Sequence, residues 1–359
     1  MSTSAQNPGH PQQEFDPDGL PLFRHPTPDK AWLARHTEEI IEPELGIIDP
    51  HHHLWDVFGG YLLDDLVEDT SSGHRILATV FSQCGWSYRE DGPVGMRPVG
   101  EVARVAAVAL EAKRRKLPTQ VCAGIVGHAD MELGDDVAEV LQAEVDAGAG
   151  YFRGIRHITA RDEGISASLL GRPPADLLQR PAFHRGLRVL QKMGLTFDAW
   201  LYFKQIPGLV KLARAHPDLP IVLNHLGGPL GVGPYAGKRD EVFKEWVPAM
   251  KQLATCPNVH IKLGGLGMVV MGFGFHQRPE PPSSQVVAEG WGPYMKTAIE
   301  LFGAKRCMFE SNFPVDKAMC SYVVMWNAFK RIASGASADE KAWLFRETAN
   351  RFYKLAIQA

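Results

Sequence analysis

Between residues 46 and 335 the chain repeats one unit, a short apolar run followed by a helical segment, eight times without a break. The runs open with GIIDPHHHLWD at 46–56 and continue at Arg75–Cys84, Gln120–Gly127, Tyr151–Ile158, Leu195–Tyr202, Pro220–Gly227, Val259–Gly264 and Arg306–Asn312. Runs that are apolar along most of their length and end in polar residues suit parallel strands covered by helices. Eight strand–helix units close naturally into a (β/α)8 TIM barrel. An open doubly wound sheet would instead call for a glycine-rich phosphate turn after the first strand. That strand ends in His51-His52-His53, and the glycines at 264, 265 and 267 come late, without the dinucleotide spacing. The expected layout is an N-terminal extension over 1–45 and one barrel domain over 46–359, its last helix packed outside. Within the extension, 1–20 reads as a flexible leader. A short helix near Asp29–Ile40 has Trp32 placed to anchor it, and the segment is positioned to shut one end of the barrel.

Composition removes several function classes. The 359 residues carry 38 basic and 41 acidic side chains, a net charge of -3, with no basic block for nucleic acid and no acidic tail. No apolar run is long enough to span a membrane, and the first residues do not form a signal peptide. The 5 cysteines, at 84, 122, 256, 307 and 320, have no metal-ligand spacing, and their odd number suits a reducing compartment. The expectation is a cytoplasmic protein that acts on a small molecule, without nucleic-acid or membrane partners, and with homo-oligomer formation left open.

In a barrel the carboxyl ends of the strands meet on one rim. Side chains alternate along a strand, so His51 and His53 point the same way and His52 the other. The rim then gathers His51, His53, His128, Arg156 or His157, Asp198, His225, Glu310 and Asn312. Paired imidazoles at a strand end are a start for a divalent metal site. Arg153 and His157 share one face of the fourth run and Arg156 takes the other, so alternation alone does not say which turns inward. Either arginine could clamp a substrate carboxylate through its planar fork. Trp55, Trp86 and Trp200 would supply apolar walls, with Phe58, Tyr61 and Leu62 beside the first strand. The loop at 264–282, rich in Gly, Met and Phe, reads as a lid or as a flap packed on the body.

These motifs carry a resemblance. IIDPHHHLWD, FRGIRH, FDAW, NHLGGP and MFESNFPVD, spread over about residues 46–355, make the chain resemble the amidohydrolase superfamily. Within it the nearest likeness is the amidohydrolase-2 group, which includes lactone hydrolases of sugar lactones and of pyrone dicarboxylate. The resemblance implies that His51 and His53 are the first-strand metal pair and that His225 touches metal or substrate. The group ends its eighth strand in serine-aspartate-tryptophan-proline, whereas this chain has Ser311-Asn312-Phe313-Pro314. An amide is no general base and is a poor, neutral metal ligand. Glu310, two residues earlier on the same face, could ligate metal or carry the proton, with Asp198 as second candidate. The expected metal set is His51, His53, His225 and Glu310 around a divalent ion, zinc by preference, held weakly or absent. The expected reaction is hydrolysis of a small, acidic lactone or ester-like substrate. The alternatives are decarboxylation of an aromatic or unsaturated acid and ligand binding without catalysis.

Overall fold

The computed structural model describes residues 14–16, 19–57, 59–166 and 172–358. Phe58 and most of the leader therefore lie outside the described residues. The eight expected strands are all present: β1 (Ile47–His52), β2 (Ile76–Ser82), β3 (Gln120–Gly127), β4 (Phe152–Ile158), β5 (Thr196–Trp200), β6 (Ile221–Leu223), β7 (Val259–Leu263) and β8 (Cys307–Phe309). They pair in parallel in chain order. The ends meet where His53 N–H donates to Phe313 O at 2.7 Å and Asn312 N–H to His51 O at 2.9 Å. Those bonds close the barrel at the carboxyl ends of the strands and set the tips of β1 and β8 side by side.

Helices cover the outside because each presents one apolar stripe. Val99–Arg114 buries Val99, Val102, Val105, Ala106, Ala109 and Ala112 and ends on Lys113 and Arg114, which suit the negative end of its dipole. Pro181–Lys192 opens on a proline, whose fixed φ suits the first helical position, and buries Phe183, Leu187 and Leu190. Each such side chain contributes about 1.5–3 kcal/mol when removed from water.

Alternation decides what faces inward. Phe197 and Ala199 of β5, Ile221 and Leu223 of β6, and Cys307 and Phe309 of β8 join the outer core, which leaves Asp198, Val222 and Met308 for the interior. In β1 the inward residues Ile48 and His51 are three apart. The register against β2 shifts between Asp49 and His52, around Pro50, and so permits this.

The expected outer position of the C-terminal helix holds only in part. The helix Thr348–Phe352 is followed by a segment whose Tyr353, Leu355 and Ile357 pack with Ile48, Ala78, Val80, Val222 and Met308. The chain end is thus a plug in the barrel floor, because these large apolar side chains fill space left by the small residues of β2. The N-terminal extension is tied to the body through Trp32. Its helix is shorter than expected, Lys30–Leu33, and Trp32 Nε1–H donates to Arg278 O at 3.2 Å. Of the two readings of the 264–282 loop, the packed flap fits: Leu266, Met268, Val270, Met271 and Phe275 are buried. No described helix is long and apolar enough to cross a membrane.

Candidate active site

The site lies at the closed end of the barrel, on a cavity of about 450 Å3 lined by His53, Trp55, Arg156, Trp200, His225 and Asn312 among others. His51 and His53 converge as alternation requires, with their Nε2 atoms 3.2 Å apart. Two ligands of one tetrahedral zinc ion at ordinary bond lengths lie about 3.3 Å apart. His53 Nδ1 is 2.7 Å from Ser82 O, an acceptor only, so Nδ1 carries the proton and Nε2 presents its lone pair. Burial, together with neighbouring cationic groups, holds His51, His53 and His225 well below the usual imidazole range, so all three are neutral.

His51 Nδ1 has two unlike neighbours. Lys262 Nζ, a donor only, is 3.1 Å away, and Glu310 Oε2 is 3.0 Å away. A metal on Nε2 requires the proton on Nδ1, and that proton needs an acceptor. Glu310 Oε2 is buried and without a hydrogen-bond partner, so the acceptor is in place. The residues therefore fit a divalent ion on the Nε2 side of His51 and His53. His51, His225 and Glu310 also lie close enough to form a ligand group among themselves. Lys262 stands on that side and Arg156 Nη1 on the other, 3.4 Å from His51 Nε2, so an ion at either set meets a cationic group at short range.

Glu310 sits one layer below the cavity, fully buried, with Oε1 2.7 Å from His225 Nδ1. Burial and the charge of Asp198 push its carboxyl up to about 8, against the pull of Lys262 and Arg156. Its evident work is to orient His225 and leave Nε2 free toward the cavity. His225 has left-handed backbone, φ +55°, directly after β6. This places its ring against Gly265, where a Cβ would lie 2.2 Å from His225 Nδ1; a Cβ at Gly264 would lie 2.4 Å from Glu310 Cγ. The glycines that lack the dinucleotide spacing are there to let two site side chains through.

Several expectations need correction. Asp198 is not a free base. It accepts from Lys262 Nζ at 2.8 Å, Asn224 Nδ2 at 3.0 Å and the Tyr353 hydroxyl at 2.9 and 3.0 Å. Arg153 faces the opposite end of the barrel and donates to Gly150 O and Phe152 O. His157 faces outward, between His128 and Phe183, because it is on the strand face opposite Arg156. His128 likewise turns away and bonds Arg156 O at 2.9 Å. Arg156 is the inward arginine, bonded through Nη2 to Gln83 O, with Nη1 3.4 Å from His51 Nε2. Trp55 stacks on His53 and Trp200 meets His225 edge-on, while Trp86 lines an adjoining cavity instead. Asn312 presents Oδ1 to His53 Nε2 at 3.3 Å, because its Nδ2 donates to Asp316 Oδ1 at 2.8 Å.

Sequence reasoning missed Lys262, Asp316 and Tyr353. A lysine inside VHIKLG was a visible signal, since a charge in a buried strand needs a partner. Asp316 was in view within MFESNFPVD. Nothing local marked Tyr353.

With this geometry in place, the comparisons can be read. The amidohydrolase family model matches residues 48–355. An uncharacterized protein y4mH of Sinorhizobium fredii is 32% identical over 335 residues, covering 87% of this chain and 99% of its own length. An L-fucono-1,5-lactonase of Burkholderia ambifaria is 29% identical over 247 residues, covering 64% of this chain and 72% of its own. The crystal structure of an amidohydrolase from Burkholderia multivorans with bound zinc superposes with TM-score 0.64 at 23% identity, over 86% of this chain and 99% of that one. At that identity the match speaks for the fold.

Proposed function

The chain belongs to the amidohydrolase family, and from that premise we propose that it hydrolyses a small lactone or ester-like substrate bearing an acidic group, assisted by a divalent metal, preferably zinc. One observation carries the reading. Two imidazoles stand at metal-ligand separation, His53 with its tautomer fixed by Ser82 O and His51 with an unused Glu310 oxygen beside it, and His53 meets a cavity that also holds a buried arginine. The lactonase relatives support this choice of substrate class.

His51 and His53 would hold the ion, and Asn312 Oδ1 stands next to His53 as a neutral neighbour. A bound divalent ion polarises a carbonyl oxygen and makes a water more acidic. Arg156, steadied by Gln83, takes the acidic substituent and turns the carbonyl toward the histidines. His225 Nε2 accepts the proton of the attacking water, and Glu310 stabilises the charge through Nδ1. The new C–O bond forms as the ring C–O bond breaks, and the departing oxygen takes the proton from His225, giving a hydroxy acid. Trp55 and Trp200 keep bulk water away from these groups. We place the protein in the cytoplasm, where five thiols stay reduced, and leave self-association to direct measurement.

The test is acid release from a panel of lactones at constant pH, with chelator and with added zinc or manganese. Zinc-dependent release, lost in His53→Ala, is expected. No release from any lactone in the presence of metal would overturn the proposal.

A further inference from the structure

A second cavity of about 420 Å3 adjoins the first. His25, Trp55, Val57, Cys84, Gly85 and Val315 border both. Beyond that shared border Leu22, Phe23, Pro26, Pro28, Trp86 and Pro314 give the walls a mainly apolar surface, with Arg24, Thr27, Asp56 and Ser87 among them. Residues 22–28 belong to the N-terminal extension, upstream of the stretch that the family model matches. They are fixed in place. Phe23 N–H donates to Ser166 O at 3.0 Å, and Ser166 N–H to Pro21 O at 2.9 Å. Arg24 pairs with Glu14 at 2.7 Å, and Phe23 packs on the main core. Farther along, Asp29 caps the helix that Trp32 ties to Arg278.

From this continuity we infer that residues 22–28 complete the substrate site, and that the chamber they roof takes an apolar substituent carried by the acyl compound bound at Arg156 and the histidines. His53, His225 and Arg156 line the first cavity and not the second, whose walls are mainly apolar. A bare polyhydroxylated lactone would leave the second cavity wet and its walls uncovered. An alkyl- or aryl-substituted lactone or ester would fill it. A chamber of this size admits part of a small molecule. His25 stands at the junction, where it borders both the polar end and the tail. The inference rests on the hydrolase reading only for the identity of the polar end.

The test uses product-like anions, so it does not depend on turnover. Butanoate, hexanoate and octanoate are titrated into the full chain by calorimetry. Burial of a methylene improves affinity about fourfold, so each two-carbon step should tighten binding about 15-fold until the chamber is full. Thr27 is an exposed residue on the chamber wall, and Thr27→Trp should flatten the series. Equal affinity for the three acids in the wild type would overturn the inference. So would an undiminished gradient in Thr27→Trp, which would place the tail elsewhere. Acid release from the whole lactone panel, with zinc added, is measured in parallel. Its absence beside a clear chain-length gradient would sink the hydrolase reading and leave the chamber standing. Turnover with a flat gradient would do the reverse.

Discussion

Asn312→Asp restores the acid that relatives in this group place at the eighth strand, and the structure says at what cost. Asn312 Nδ2 donates to Asp316 Oδ1 at 2.8 Å, and Asp316 is fully buried. Burial holds the Asp316 carboxyl up at about 8, with bonds from Gly267 and Asn312 opposing. The substitution replaces that donor by a second carboxyl, and two carboxyls so close must share a proton. Leaving this buried acceptor without its donor costs about 1–3 kcal/mol. For a domain of this size, with about 2.1 cal/mol/K of unfolding entropy per residue, this lowers Tm by about 1–4 °C. A metal at His51 and His53 reverses the sign, because the new carboxylate is a charged ligand where the amide was neutral. At a hundredfold excess over Kd, zinc returns about 2.7 kcal/mol. The assay is thermal unfolding of both proteins in chelator and across a zinc series. The variant should melt lower in chelator and gain more from zinc. A variant as stable as wild type in chelator would refute the Asp316 argument, and equal zinc gains would remove Asn312 from the neighbourhood of the ion.

Four further outcomes follow from the same geometry. Lys262→Met strips a buried partner from Asp198 and should destabilise by about 3–5 kcal/mol, most of it recovered when Asp198→Asn is added; a double-mutant cycle in urea reads the coupling. Arg156→Lys should raise KM for acidic substrates more than tenfold while Arg153→Lys leaves it unchanged, and steady-state kinetics compare them. Glu310→Gln should lower kcat by about 10²–10⁴ with KM nearly unchanged, because the amide cannot balance the charge on His225, and steady-state kinetics on the zinc-loaded enzyme check this. Glu38 is held at about 2, because bonds from Ser284, His36 and Asn327 outweigh its burial, so its contribution to stability is present above about pH 4.5 and lost as pH falls toward 2; Glu38→Gln should flatten that limb of a stability–pH curve.

The barrel was legible because strand and helix periods alternate eight times in the sequence. The closing ends of β1 and β8 were legible as polar tips. Alternation also placed His51 with His53 and put His157 opposite Arg156. It could not say which arginine faced in, since that depends on how the fourth strand sits against its neighbours. His225 was found at its strand end, but its left-handed backbone and its bond to Glu310 are tertiary facts. The role of Glu310 changed for the same reason: parity put it on the inner face, while depth, set by the whole barrel, put it below the cavity. The partners of Asp198 come from the turn after β6, from β7 and from Tyr353, and no local pattern links them.

The tyrosine in the barrel floor bears on how the protein is made. Tyr353 follows Asp198, Asn224 and Lys262 in sequence, so it is the last of the four to leave the ribosome. Until it arrives, Asp198 lacks a hydroxyl that bonds both its oxygens, and Ile48, Val80 and Met308 lack their apolar cover. Domains begin to fold from the N-terminus during synthesis, so the nascent barrel passes through a stage with its floor open to water. The lower wall of the catalytic centre is sealed only once residues 353–357 have emerged.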